Sequence, residues 1–154
     1  MTSCHHKNHQ KCIADALQQA EQVCHNKGLR FTELRRKVFE IIWQSHKALT
    51  AADIMTMLGN DQPPTTYRAL EFLTENGLIH RIASLNAFVG CVQPEDEEHI
   101  GQLLICSDCH NVTELKESRP VIQLARAAQE RGFQVQQTHI EMLGRCHTCH
   151  GVAA

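Results

Sequence analysis

The sequence has no long hydrophobic run. Across its 154 residues, no apolar stretch approaches the roughly 18 to 20 residues that a membrane-spanning helix needs. The polar start, MTSCHHKNHQ, also lacks the apolar core of a signal peptide. We therefore expect a folded protein of the cytoplasm, and its 42% hydrophobic and 21% charged residues are ordinary values for one.

A strong positive charge, which many nucleic-acid-binding proteins carry, is missing as well, because the formal net charge is -2. The charge is unevenly distributed, however. Residues 27–81 hold eight Lys and Arg against six Asp and Glu, whereas residues 82–154 hold five against nine. The first segment can thus present a local basic face to DNA while the acidic second segment has another role.

Cysteine and histidine are abundant, with 8 and 11 residues. Without a signal peptide, such a pattern more often indicates metal binding than disulfides. Two C-x-x-C motifs, which we call the knuckles, supply four thiolates at Cys106, Cys109, Cys146 and Cys149. Four thiolates are a tetrahedral ligand set for structural zinc. A redox dithiol and buried thiols are the alternatives, and the redox site is disfavoured because neither knuckle is predicted to open a helix.

Apolar periodicity predicts a winged helix-turn-helix in the first two thirds of the chain. A helix over 13–26 is followed by a second that Thr32 caps and a third that Thr50 caps, with Asp53 completing a capping box and Ile54, Met57 and Leu58 facing inward. A fourth helix covers 65–76. The apolar runs Leu78–Ile82 and Ala87–Cys91 then predict a hairpin, the wing.

Pro94 and the acidic residues after it indicate a domain boundary. Beyond it we predict strands at 102–106 and 111–116, a helix at 121–131 whose apolar face covers a small sheet, and a strand at 133–143. The predicted class is therefore α/β (α+β). Its parts are a mobile tail (1–12), a winged-helix DNA-binding domain (13–93), a linker (94–101) and a zinc-stapled domain (102–154). The tail, with Cys4, His5, His6, His9 and Cys12, is either a metal-capturing segment or simply a disordered one.

A looser group of possible ligands comprises His80, Cys91, His99 and Glu114. A wing turn centred on Leu85 and Asn86 would place His80 directly opposite Cys91, with Cβ atoms about 5 Å apart. A metal bound by all four residues would tie the wing, the linker and the second domain together. The alternative is a packing histidine, a small buried cysteine and two solvated polar groups.

The start of the fourth helix is suited to DNA recognition. The hydroxyls of Thr65 and Thr66 and nearby backbone N–H groups can hold phosphate, Tyr67 can contact thymine methyls, and Arg68 can reach guanine or a narrow groove. On the second helix, Arg35 and Arg36 either form a solvated face or grip the DNA backbone.

These residues resemble the ferric uptake regulator superfamily and, within it, the zinc uptake regulators. The resemblance runs from about Ala20 to Cys149. It rests on GLRFT at 28–32, PTTYRAL at 64–70, GLIH at 77–80 and the two knuckles in order. It implies that the knuckles hold a structural zinc and that His80, Cys91, His99 and Glu114 hold a regulatory one, two zinc ions per subunit. Iron-sensing relatives usually carry His-His-x-Asp-His before the first knuckle, and most of that motif is missing at 98–102.

The resemblance also implies a function. It predicts a homodimer, dimerised through the domain at 102–154, that represses zinc-uptake genes by binding AT-rich palindromic operators with zinc as corepressor. Alternatives are a repressor of the same family that senses iron, manganese or peroxide, and a zinc buffer or delivery protein. An enzyme is not expected, because four protein ligands at each site leave no open position for water. Neither a membrane nor a small-molecule substrate is expected as a partner.

Overall fold

The computed structural model describes residues 9–45, 47–59, 63–94, 100–116, 119–136 and 138–151. Within them the elements are α1 (His9–Asn26), α2 (Glu33–Gln44), β1 (Leu49–Thr50), α3 (Ala51–Leu58), α4 (Pro63–Glu75), β2 (Ile79–Ile82), β3 (Ala87–Gly90), β4 (Gln102–Cys106), β5 (Val112–Leu115), α5 (Arg119–Gln129), β6 (Ile140–Gly144) and α6 (His147–His150). The predicted mixed class is confirmed. None of the described helices combines the length and the apolar character needed to cross a membrane.

The first helix is longer than predicted. It begins at His9, so residues 9–12 are helical and do not belong to a tail. Periodicity detects only the face of a helix that is buried, and a polar first turn in solvent has no such face. Cys4, His5 and His6 lie outside the described residues.

The winged-helix core is built by α1 to α4, and its caps are those predicted. The Thr32 side chain accepts from Arg35 N–H, and Thr50 and Asp53 form a capping box. Buried residues include Val38, Phe39, Ile42, Ile54, Leu70 and Leu73. The inward orientation predicted for Met57 is wrong, because its side chain is 52% exposed. The stripe of α3 with spacing i, i+3, i+4, i+7 consists of Ala51, Ile54, Met55 and Leu58, and Met57 lies outside it.

The wing is a three-stranded sheet of order β1-β3-β2. The two-residue strand β1 was not predicted, because so short a segment has no period. His80 pairs with Val89, not with Cys91 as predicted. The loop from Ala83 to Asn86 sets this register, and the Cys91 N–H donates to Leu78 O at 3.1 Å. A shift of two residues preserves the face, so His80 and Cys91 remain diagonal neighbours on one side of the sheet.

The second sheet has the order β5-β4-β6, with β4 antiparallel to β5 and parallel to β6. The last strand covers only Ile140–Gly144. Residues 133–136, which were predicted to belong to this strand, lie outside the sheet. The predicted packing of α5 on this sheet is also wrong, because α5 has no buried residue and Leu124 is 57% exposed.

The wing covers the sheet instead. A second hydrophobic core joins Ile82 and Val89 of the wing to Leu103, Ile105 and Val112 of the sheet. The bridge between Lys47 and Asn111 adds a backbone contact between the two units. The predicted boundary near Pro94 therefore separates two units that pack closely against each other.

Candidate metal centres and nucleic-acid interface

The knuckle sulfurs converge on one point. The Sγ atoms of Cys106, Cys109, Cys146 and Cys149 all lie within 4.8 Å of one another. A tetrahedral site with Zn–S bonds of about 2.3 Å has a sulfur–sulfur edge of about 3.8 Å. The Cys109 and Cys146 Sγ atoms are 3.8 Å apart, which suits a metal between them and is far too long for a disulfide. The arrangement therefore fits tetrahedral zinc.

The parallel pairing of β4 with β6 brings the knuckles together, since its last pair is Cys106 with Gly144. Ser107 donates from its backbone N and its Oγ to Gly144 O, at 2.8 and 3.1 Å. Arg145 donates from Nε to Asp108 at 2.6 Å and from Nη2 to Cys149 O at 2.9 Å. Each knuckle is thus held against the other by groups that are not ligands.

The expectation that neither knuckle opens a helix is wrong for the second. Cys146 is the N-cap of the single helical turn α6, and Cys149 lies within that turn. A four-residue turn could not be detected by periodicity. The four sulfurs nevertheless form one cluster rather than two separate dithiols, so the structural-metal interpretation does not depend on this point.

Hydrogen bonds give these four thiols different pKa values. Backbone N–H groups of Cys146 and Cys109 lower the pKa of Cys106 to about 6. The neighbouring sulfurs of Cys146 and Cys109 raise the pKa of Cys149 to about 12. Four thiols this close cannot all ionise unaided, and a bound cation is what would hold all four as thiolates.

A second cluster joins the wing to the second sheet. Side-chain ligand atoms of His80, Cys91 and Glu114 lie within 4.8 Å of one another. His80 lies on β2, Cys91 follows β3, and Glu114 lies on β5. Glu114 is only 5% exposed, so the interpretation of it as a solvated group is wrong. His99, the fourth predicted ligand, lies outside the described residues.

Backbone groups orient these side chains. Val92 N–H donates to Glu114 Oε2 at 3.0 Å, and Gln93 N–H donates to Cys91 Sγ at 3.4 Å. A Cβ atom on Gly101 would lie 2.7 Å from two atoms of the His80 ring. Gly101 therefore positions His80 and was missed by the sequence analysis, although a glycine next to a strand is a known signal of close approach.

His80 interacts strongly with the other two side chains. Its Nε2 lies 2.6 Å from Glu114 Oε1. Burial lowers the pKa of His80, but hydrogen bonds and charge interactions with Cys91 and Glu114 outweigh it and raise the pKa to about 10. In the metal-free protein His80 is therefore protonated at neutral pH. One imidazole, one thiol and one carboxylate form a ligand set that fits zinc, and loading such a site displaces protons.

The recognition helix α4 presents only part of the predicted contact surface. Tyr67 is 54% exposed and Arg68 is exposed, while Thr65 is half-buried. The contact predicted for Thr66 is wrong, because this residue is 0% exposed. Thr66 starts the buried stripe that continues through Ala69, Leu70 and Leu73, a spacing already visible in the sequence.

Arg35 and Arg36 have partners within the domain. The Arg35 guanidinium stacks 3.4 Å from the centre of the Phe72 ring and donates to Arg30 O. Arg36 pairs with Glu21. These contacts join α2 to α4 and to α1, so both arginines have a structural role.

The chain is similar in sequence to known proteins over most of its length. A sequence profile of the ferric uptake regulator family matches residues 26–143. The zinc uptake regulation protein of Escherichia coli (strain K12) is 31% identical over 144 residues, which are 91% of this chain and 84% of that protein. The ferric uptake regulation protein of Cupriavidus metallidurans is 30% identical over 128 residues, which are 79% of this chain and 87% of that protein.

Solved structures are also similar. A zinc uptake regulator complexed with zinc and DNA superposes with a TM-score of 0.86 at 30% identity, covering 91% of this chain and 96% of that one. The holo form of XcZur gives 0.83 at 37% identity, with coverages of 88% and 97%. The apo form of XcZur gives only 0.51 at 36% identity, although the coverages are 90% and 98%.

Proposed function

The chain belongs to the ferric uptake regulator family, and from that premise we propose that it is a zinc-dependent transcriptional repressor. In this proposal a zinc-loaded homodimer binds AT-rich palindromic operators of zinc-uptake genes in the cytoplasm, without catalysing a reaction. The observation that carries the proposal is the cluster of His80, Cys91 and Glu114, which links the wing to the second sheet.

The cluster can couple metal binding to domain arrangement. His80 and Cys91 move with the wing, whereas Glu114 belongs to the second sheet, so the three are together only when the wing lies on the sheet. Zinc, when bound, supplies the attraction that favours this closed arrangement. A shift from 1:99 to 99:1 needs about 5.5 kcal/mol of differential binding. The much greater similarity to holo than to apo XcZur supports a closed arrangement of this kind here.

We propose that the knuckles hold a second, structural zinc, and that His99 completes the ligand set of the first. The knuckles follow the neighbouring parallel strands β4 and β6 at the same end of the sheet, so a metal that joins them would stabilise the second domain whatever the zinc signal. The two sites thus have separate roles, with one zinc for stability and one for sensing.

The proposed dimer partner would cover an apolar surface on the second domain. Large apolar side chains are exposed on α5, on β6 and between them, namely Ile122, Leu124, Phe133, Val135, Met142 and Leu143. Exposed large apolar side chains on a small domain are typical of residues that a protein interface covers. A second copy of the chain would place two recognition helices on one side of the dimer, as a palindromic site requires.

The proposed DNA contacts are Tyr67 and Arg68 for bases, and Thr65, Arg35 and Arg36 for the phosphate backbone. Tyr67 and Arg68 are exposed on the first turns of α4. The stacking of Arg35 on Phe72 fixes a positive charge at the surface beside α4, where a backbone contact would help to position that helix.

A gel shift with an AT-rich palindromic duplex at stepwise free zinc tests the function. We expect zinc to switch on binding by the wild type, and a Cys91→Ala variant to need at least about tenfold more zinc, because one ligand is lost while both knuckles remain. Cys24→Ala is the matched control, since Cys24 is also buried but lies outside both clusters. Binding by the wild type and the Cys91 variant alike, whatever the zinc level, would contradict the proposal.

The same titration distinguishes the rival functions. A zinc buffer or delivery protein would bind zinc without any zinc-dependent affinity for the duplex. An iron, manganese or peroxide sensor would respond to those signals before zinc. The buried Cys91 thiol favours zinc, because hard ions prefer oxygen ligands.

A further inference from the structure

Glu141 joins the two units of the molecule at a point where no motif predicted a contact. It lies on β6, and its carboxylate accepts hydrogen bonds from two successive backbone N–H groups in the wing turn. Ala83 N–H donates to Oε1 at 2.6 Å, and Ser84 N–H donates to Oε2 at 3.0 Å. We call this pair of bonds the Glu141 clasp.

The clasp and the metal cluster hold the wing at different places. His80 lies near the start of β2, and the clasp holds the turn that follows its end. At about 3.3 Å per residue, positions 80 and 83 are about 10 Å apart along the strand. Ile82 lies between them along β2, in the core shared by the wing and the second sheet. Together with that core, the two polar attachments define the orientation of the wing on the sheet more closely than either does alone.

The bonds of the clasp are charge-assisted. Burial raises the pKa of Glu141, but hydrogen bonds from the Ser84 side chain and from the N–H groups of Ser84 and Ala83 outweigh it and lower the pKa. The carboxylate is therefore ionised at neutral pH. Bonds to an ionised acceptor are roughly twice as strong as neutral ones.

We propose that Glu141 is a positioning residue that lowers the zinc concentration at which the protein closes. The clasp can form only when the wing lies on the second sheet, so it favours the same arrangement as the metal cluster without binding metal itself. The apparent dissociation constant for zinc equals the intrinsic constant divided by the fraction of closed molecules. Loss of the clasp lowers that fraction and therefore raises the zinc concentration that closure requires. This inference rests on the proposed function.

A zinc titration of DNA binding by the full-length protein tests the coupling. Glu141→Gln keeps the size of the side chain but removes its charge and replaces one acceptor with a donor. We expect the midpoint in free zinc to rise about tenfold, with full DNA binding restored at saturating zinc. Glu130→Gln is the matched control, because Glu130 is exposed and pairs only locally with Arg126, and its midpoint should equal that of the wild type.

Two results of this titration would overturn the inference. An unchanged midpoint in Glu141→Gln would show that the clasp does not contribute to closure. A reduced DNA-binding plateau that excess zinc does not rescue would show that Glu141 only maintains the fold.

Hydrogen exchange of the wing turn separates this inference from the proposed function. In the zinc-loaded full-length protein, the amides of Ala83 and Ser84 should exchange faster in Glu141→Gln than in the wild type, and at the wild-type rate in Glu130→Gln. Equal rates in all three would overturn the inference whatever happens with DNA. If the wild type binds DNA without zinc but the exchange rates differ as stated, the proposed function fails while the clasp remains established.

Discussion

Gly101 shows how a single missing Cβ atom can make room for the side chain of a proposed metal ligand. The His80 ring occupies the space that any larger residue at 101 would need, at 2.7 Å from the ideal Cβ position. The ring is also held by Glu114 at 2.6 Å. The imidazole therefore lies between a backbone that leaves room for it and a carboxylate that orients it.

We expect Gly101→Ala to displace His80 and to weaken the proposed regulatory zinc site. Loss of orientation around a metal ligand typically costs about 10- to 100-fold in affinity, so the midpoint of a competition titration with a zinc chelator should shift by that factor. Gly144→Ala is the matched control, because nothing lies within 4 Å of a Cβ atom there. Equal midpoints for the two variants would show that the ring tolerates the extra methyl group.

Helix α5 shows that an amphipathic pattern identifies an apolar face but not its partner. Val121, Leu124, Ala125 and Ala128 share one side of the helix, as periodicity predicts. The second sheet does not cover that side, because α5 has no buried residue. Leu124 remains 57% exposed, and the chain's own fold provides no described contact that would bury it.

Leu124→Asp should therefore weaken the dimer without unfolding the subunit. A charge placed at the centre of an apolar interface should cost about 2 kcal/mol or more, the scale of an interface hot spot, which is about thirtyfold in the dissociation constant. Sedimentation over a dilution series measures it. Gln123→Asp, on the opposite side of α5, should leave association unchanged, and equal weakening by both variants would place the interface elsewhere.

At the scale of the whole molecule, the wing belongs to two cores. Through Phe88 it packs on the helices, and through Ile82 and Val89 it packs on the second sheet. The cluster of His80, Cys91 and Glu114 adds a third contact, in which His80 lies 2.6 Å from Glu114, and the proposed zinc would strengthen it. The relative position of the two units is therefore set by the apolar core that they share and by the polar contacts of Glu114 and Glu141. These contacts can be gained or lost together.

Removal of the proposed regulatory zinc should let the two units separate while each stays folded. Small-angle X-ray scattering should show a larger radius of gyration for the zinc-depleted wild type, and zinc should restore the compact form. Cys91→Ala should stay expanded at zinc levels that close the wild type, and Cys24→Ala should close normally. A wild-type radius of gyration that does not depend on zinc would rule out domain closure as the response.

Local patterns predicted most of the elements and the knuckle site. Thr32 and Thr50 were identified as caps because an N-cap satisfies N–H groups only two or three residues away. The knuckle ligands were identified because C-x-x-C places two thiolates on one turn. Glu114 was also identified as a candidate ligand, but its burial was not predicted, because the sequence does not show whether a glutamate carboxylate is buried or solvated.

The sequence by itself determined most of the helices, the wing hairpin and the grouping of the four knuckle cysteines, because capping, periodicity and C-x-x-C spacing act within a few residues. The second group of candidate ligands was assembled from residues far apart in the chain, and its metal role was what the family resemblance implied. Only the tertiary structure decided the pairing of His80 with Val89, the exposure of α5, and the contacts of Gly101 and Glu141. These features depend on which surfaces, formed by segments far apart in the chain, pack against each other. The physical reason is that packing between elements is a property of the complete set of faces, and no single segment specifies it.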